Sequence, residues 1–274
     1  MLHTFLAVSA IVPSLLIIWY FRTRDVNREP AGVIWRVFWL GVLSVVPVLL
    51  MAVPLGWVVK AVGGSPLVAG FLDAFLEAAI PEEFCKLLVV WLYASRHREF
   101  DEPMDGIVYG AVASLGFATL ENMLYTMSGG VAVAVARALT AVPSHAFWGA
   151  IMGYHVGQAR FGEGGRLRHW LLAFLIPTVL HGLYDFPLLA LARMTGGREL
   201  PEGQEALALG LVGGALLMLV VAFILLGSGH EHFAEGVRGF LDRLRAVDPA
   251  LVGATNTGSF LFRDWFEIGV AQAI

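Results

Sequence analysis

Apolar residues run in long blocks along this chain, and the polar residues that interrupt them cluster at a few places. A helix needs about 20 predominantly apolar residues to cross a bilayer. Seven stretches meet that need: 4–21, 33–59, 66–94, 105–127, 131–158, 170–192 and 205–227. None alternates apolar and polar positions in the two-residue period of a porin strand. The pattern therefore predicts an all-α fold, a polytopic membrane helical bundle of about seven transmembrane helices. The first stretch has its basic cluster after the apolar run and no small-residue cleavage site beyond it, which favours a retained helix over a cleaved signal. Pro143 is the place where a re-entrant pair would replace a single crossing.

Basic residues orient the bundle. Arg22, Arg24 and Arg28 follow the first span, Arg96 and Arg98 the third, Arg160, Arg166 and Arg168 the fifth, and Arg238, Arg243 and Arg245 the seventh. The alternate loops hold Lys60, Arg193 and Arg198. Eleven against three places the amino terminus outside and the carboxyl terminus in the cytoplasm. Beyond the seventh span, 230–247 sets Phe233, Val237, Phe240, Leu241 and Leu244 on one helical face, the mark of an amphipathic helix on the inner surface. The expected organisation is a bundle over 1–229, with its polar motifs between 81 and 185, and a cytoplasmic amphipathic helix and tail over 230–274.

Composition narrows the class. Of the 274 residues 58% are hydrophobic and 15% charged, whereas a soluble domain is about half apolar and a quarter charged. With a mean hydropathy of +0.73, a cytosolic enzyme and a disordered chain are excluded. A net charge of −4 offers no basic face to a phosphate backbone, so no nucleic-acid partner is expected and the lipid bilayer is. Cys85, the one cysteine, rules out an internal disulfide and a thiolate metal cage.

Against this background the ionisable residues inside the spans stand out, since each costs roughly 2.5–3.5 kcal/mol at the bilayer centre. The third span carries Glu82, Glu83 and Lys86; the fourth Glu121 and Asn122; the fifth Arg137 and His145; the sixth His181 and Asp185. Residues four apart share a helix face, so Glu82 sits over Lys86, Glu121 over Tyr125 and His181 over Asp185. At about 1.5 Å per residue Glu82 lies roughly 24 Å into its span, near mid-membrane. His145 and His181 fall at a similar level, so one polar chamber in the middle to outer half of the membrane is expected. Asp73 and Glu77, nearer the outer end, read as interfacial, Cys85 as a buried apolar residue, and Arg137 as the partner of a carboxylate or as a snorkelling side chain.

Carboxylates and imidazoles without a serine or cysteine partner point to water activation. A carboxylate withdrawn from water is an effective general base, and a histidine beside it can donate to an oxyanion or to a leaving amine. An aspartate one turn away can orient that histidine. Peptide-bond hydrolysis uses this set: Glu82 as the base, Glu83 in support, Lys86 as charge balance, and His181 held by Asp185. Glu121 and His145 complete the chamber, with Asn122 and Tyr125 as neutral donors. A divalent metal such as zinc is the competing design, with Glu121, His145, His181 and Asp185 as candidate ligands, although His-Glu-x-x-His is absent. Buried carboxylates and histidines also suit a proton-coupled membrane transporter, which would show two repeated halves that this chain lacks, and a non-catalytic membrane scaffold is the third reading.

Taken in order, Glu82-Glu83-x-x-Lys86, Phe117-x-x-x-Glu121-Asn122-x-x-Tyr125, His145 and His181-x-x-x-Asp185 resemble the motifs of the PrsW family of bacterial intramembrane proteases. That family is similar to the CAAX prenyl endopeptidases and their bacterial Abi relatives, which carry histidine where Glu121 stands and asparagine where Asp185 stands. The resemblance covers 81–185 and implies a glutamate-dependent, multi-pass protease of a bacterial or archaeal cell (inner) membrane. It also implies a substrate: a membrane-anchored protein of the anti-sigma factor kind, given its first cut here and releasing a sigma factor after later cuts. The middle-to-outer depth of the polar residues fits a cut on the outer side.

Overall fold

In lipid every backbone N–H and C=O must find its partner inside the protein. The structure, a computed structural model, describes residues 2–24, 27–162 and 165–196, and among these the requirement is met by helices, with no strand. The expected seventh span at 205–227, the amphipathic helix at 230–247 and the tail at 248–274 lie outside the described residues.

The helices are α1 (Leu2–Arg24), α2 (Ala31–Leu43), α3 (Val45–Val62), α4 (Pro66–Leu72), α5 (Ile80–Leu92), α6 (Pro103–Leu139), α7 (Ala141–Phe161) and α8 (Arg166–Thr195). A π-helical segment, Asp73–Ala79, joins α4 to α5, and a 3-10 turn, Ala94–Arg96, follows α5. Four described stretches are long and apolar enough to cross a membrane: Thr4–Thr23, Ala31–Val62, Pro103–Phe161 and Arg166–Thr195. The third contains both expected spans 105–127 and 131–158. The expected span 66–94 is helical through 66–92, but Asp73, Glu77, Glu82, Glu83 and Lys86 make it too charged to qualify on apolarity.

Prolines explain where the expected spans are interrupted. A proline has no N–H for the carbonyl four residues earlier and its ring crowds that carbonyl. The carbonyl four before Pro47 belongs to Leu43, the last residue of α2, and the chain turns at Ser44, whose hydroxyl donates to the Gly41 carbonyl at 2.7 Å. The carbonyl four before Pro143 belongs to Leu139, the last residue of α6, so the expected span 131–158 is split at Thr140. The carbonyl four before Pro81 belongs to Glu77 and lies within the π segment, where the Ile80 N–H reaches back to Phe75. A second break within α6 falls at Gly130, whose φ of 74° and ψ of −162° are open to glycine and strained for other residues.

α6 is the central element, and its side chains are buried without a gap from Asp105 to Thr119. Only a helix enclosed on all sides can bury every face. It starts with Pro103 at its first turn and a capping box in which Asp105 accepts from the Glu102 N–H at 2.7 Å. Gly106 and Gly110 lie directly against Gly149, Gly153 and Gly157 of α7, the small-residue spacing that lets membrane helices approach backbone to backbone. On other faces Gly116 meets the Phe38 carbonyl of α2, and Gly41 of α2 meets that of Ala113. A core of Val37, Phe38, Tyr109, Leu115 and Val156 packs around this pillar. The Tyr109 hydroxyl donates to buried Glu29, and the Arg160 guanidinium to the Ser95 carbonyl. Outside, Leu50, Trp57 and Leu139 are more than 65% exposed, as lipid-facing residues are.

The glycine seam gives a test. A methyl group on Gly153 would run into the Gly106 backbone, whereas Gly32 has nothing within 4 Å of where its Cβ would stand. Gly153→Ala is expected to destabilise the purified protein by about 2–3 kcal/mol and Gly32→Ala to change it by less than about 1 kcal/mol, as read by steric-trapping unfolding.

Candidate active site

Four helices bring their costly residues together. The first turn of α5 carries Glu82 and Glu83, and Lys86 lies one turn on. Its ammonium donates to Glu82 Oε2 at 3.1 Å and to Glu83 Oε1 at 2.9 Å. The face of Phe117 on α6 lies 4.1 Å from the same nitrogen. Glu83 and Lys86 are fully buried and Glu82 nearly so. An ammonium in such a place needs its partners, because removing one leaves a buried charge uncompensated.

From α7, His145 approaches Lys86 Nζ with Nδ1 at 3.0 Å and Glu121 Oε2 of α6 with Nε2 at 3.1 Å. From α8, His181 sets Nδ1 2.8 Å from Glu83 Oε1, while Nε2 faces Asp185 Oδ2 at 3.1 Å and Glu82 Oε2 at 3.8 Å. The close approach of Glu82 and His181 is the convergence that the spacing of polar residues predicts. Two of the three expected intrahelical pairs form, Glu82 with Lys86 and His181 with Asp185, whereas Glu121 bonds Arg137 and His145, and Tyr125 lies under the Arg137 guanidinium.

Arg137 settles its two expected alternatives in favour of a carboxylate. Its Nη2 donates to Glu121 Oε2 and its Nε to Asn122 Oδ1, both at 2.6 Å, and its guanidinium lies 4.2 Å above the Tyr125 ring. Two buried polar atoms at the site have no hydrogen-bond partner among the described residues, Glu83 Oε2 and Asn122 Nδ2. Other residues stay outside the cluster. Asp73 is buried and is gripped by Arg193 through two bonds of 2.6 and 2.8 Å. Cys85 packs among Val45, Val48 and Phe117 as an apolar residue.

Trp148 is the contributor that sequence reasoning missed. Its ring stacks on His181, with centroids 4.5 Å apart and an angle of 17°, and stands edge-on to His145 at 5.2 Å. It fixes both imidazoles against rotation. The signal was present in its spacing, three residues after His145 and so on the same face of α7.

The donor chemistry suits a divalent metal. One oxygen of Glu82 and one ring nitrogen each of His145 and His181 lie within 4.8 Å of one another, all buried. A carboxylate and two imidazoles match a catalytic zinc set of three protein ligands with a position left open. Each imidazole is backed by a carboxylate on its other nitrogen, Glu121 for His145 and Glu83 for His181, as metal-binding histidines are. Glu82 thus stands in the trio; of the expected ligands, Glu121 lies behind His145, while Asp185 faces the same nitrogen of His181 that Glu82 does. Lys86 holds the position of a resident cation against two of the three donors.

Comparison with known proteins agrees with the geometry. Residues 29–227 match the model of a family described as PrsW family intramembrane metalloprotease, a stretch that includes every residue of the cluster. The chain is 44% identical over 186 residues to Protease PrsW of Geobacillus kaustophilus, covering 68% of this chain and 80% of that protein. It is 41% identical over 191 residues to Protease PrsW of Bacillus subtilis, covering 69% and 85%. With Protease PrsW of Clostridioides difficile the identity is 34% over 188 residues, covering 66% and 77%. No solved structure matches the chain.

The cation competition can be measured directly. Lys86→Met removes the ammonium from Glu82 and His145 while keeping an unbranched side chain, and zinc should then bind about tenfold more tightly. Chelator competition on the purified protein reads the change, and unaltered affinity would place the metal elsewhere.

Proposed function

The chain belongs to the PrsW family of intramembrane metalloproteases and is a membrane protease; from that premise we propose that the buried cluster of α5, α6, α7 and α8 is its active site and that Glu82 activates the attacking water. The observation that carries this reading is the meeting of Glu82 with His181 and His145 inside the bundle. Family membership decides against the transporter and scaffold readings, which the same buried groups left open.

In the proposed reaction Glu82 takes a proton from water as the oxygen attacks the scissile carbonyl carbon. Lys86 balances the paired negative charge of Glu82 and Glu83. His181, oriented through Nδ1 by Glu83 and steadied by Asp185, receives that proton at Nε2 and delivers it to the amine as the C–N bond breaks. Asn122 Nδ2 is free to donate to the carbonyl oxygen as its charge develops. Tyr125, half-exposed at the rim, is a further donor for the substrate backbone. Glu82, His145 and His181 are the residues that would hold a divalent metal, such as zinc, whose contribution when bound is Lewis-acid polarisation of water and carbonyl oxygen. With Glu82 and His181 engaged as ligands, Glu83, whose Oε2 has no partner among the described residues, would take the proton from water and deliver it to the amine in their place.

The substrate of this reading is a membrane-anchored regulatory protein of the anti-sigma factor kind, cut on the outer side of a bacterial inner membrane. The bacterial source of the relatives and the depth of the motifs support this. The bias of basic residues supports seven spans with the amino terminus outside, and a bundle over 1–229 followed by a cytoplasmic segment over 230–274.

The test uses the purified chain in nanodiscs with a quenched-fluorescence library of single-span peptides, randomised in the outer juxtamembrane segment. Glu82→Ala and His181→Ala should each lower turnover about a thousandfold. Cleavage within about threefold of wild type by either variant overturns the assignment.

A further inference from the structure

The last stretch of α6, residues 131–139, is set off from its neighbours at both ends. Gly130 leaves helical geometry before it, and Thr140 breaks the helix after it with φ of −118° and ψ of −62°. At about 1.5 Å per residue the stretch is roughly 13 Å long, too short to cross a bilayer. It is also thinly attached. Ala134 is its one buried residue, while Val131, Val135 and Leu139 are 45%, 48% and 73% exposed. Segments with so few buried apolar contacts are the ones that open at low cost.

What holds this strip to the bundle is polar. Arg137 reaches from it to Glu121, Asn122 and Tyr125, and Thr140 at its end shares a hydrogen bond of 2.8 Å with the Tyr184 hydroxyl of α8. The oxygen of Glu121 that Arg137 grips is the one that faces His145 Nε2. The same guanidinium therefore anchors the strip and sets the carboxylate that orients a site imidazole. The polar residues least enclosed at the site, Glu121, Tyr125, Arg137 and Asp185, lie on this side of it.

We propose that Arg137 is a positioning residue carried on a hinged strip: with the strip closed it holds Glu121 against His145, and with the strip displaced the site opens towards the lipid and loses that support. Substrate entry and assembly of the site are thereby one movement, with Gly130 and Thr140 as its hinges. The inference rests on the reading of the cluster as the active site. A lysine would keep the charge but not the fork that bonds Glu121 and Asn122 together.

The experiment compares wild type, Arg137→Gln, Arg137→Lys and Glu82→Ala, each as the full chain in nanodiscs, by amide hydrogen exchange and by turnover of the best-cleaved library peptide. Arg137→Gln should speed exchange over 131–140 about tenfold and leave 106–119 unchanged. Its kcat should fall about a hundredfold with KM within about threefold of wild type, and Arg137→Lys should recover roughly a tenth of the lost activity. Combining Arg137→Gln with Glu121→Gln should cost no more than the worse of the two alone, since they act through one contact. Faster exchange throughout 103–161 would make Arg137 a general structural residue and overturn the proposal. Unchanged exchange and turnover in Arg137→Gln overturn it too, while an inactive Glu82→Ala keeps the site assignment. An active Glu82→Ala removes the assignment itself.

Discussion

An ionised group enclosed by lipid-facing helices has no water to turn to, so each must be met by an opposite charge or a polar partner, and those meetings fix which helices touch and at what level. Lys86 shows the rule at its strongest. Its ammonium is shared among Glu82 and Glu83 on its own helix, His145 on α7 and the ring of Phe117 on α6. Through Glu83 the network extends to His181 on α8, and through His145 to Glu121 and Arg137. Catalytic potential and helix placement thus come from one set of bonds. Removing a single member leaves its partner buried and unpaired, which costs several kcal/mol more than the bond itself contributes.

The backbone is arranged around the same need. Residues with no side chain let α6 and α7 touch, which brings His145 within reach of Glu121 and Lys86 instead of a side-chain layer away. Proline-induced breaks do complementary work. The π segment ahead of Pro81 adds an offset just before the two glutamates, and wide turns of this kind recur at functional sites. The break ahead of Pro143 releases α7 from the preceding strip, so that His145 and Arg137 approach Glu121 from different sides.

The helical class and most of the polar cluster proposed as the site could be read from residue order alone, because charges in apolar runs are expensive and a spacing of four defines a face. Glu82 with Lys86 and His181 with Asp185 follow from that spacing. The division of 131–158 did not follow, although Pro143 marked its neighbourhood, since proline kinks a helix in some settings and ends it in others. Pro177 and Pro187, for instance, lie inside an unbroken α8. The burial of Asp73 was equally hidden, because its partner Arg193 lies on another helix and no local pattern joins the two. Trp148 escaped notice for a different reason: among eight tryptophans in an apolar chain, one more aromatic carries little information until its neighbours are known.

The outward surface of the strip over 131–139 has a consequence of its own. Val131, Val135 and Leu139 turn about half or more of their surface outward, so in a bilayer any displacement of this strip would exchange one set of lipid contacts for another. Mismatch between hydrophobic length and hydrocarbon thickness costs fractions of a kcal/mol per Å. Such sums are comparable to the cost of moving a weakly held segment. On the proposed hinge, the thickness of the surrounding membrane is one of the physical terms that set where the strip rests.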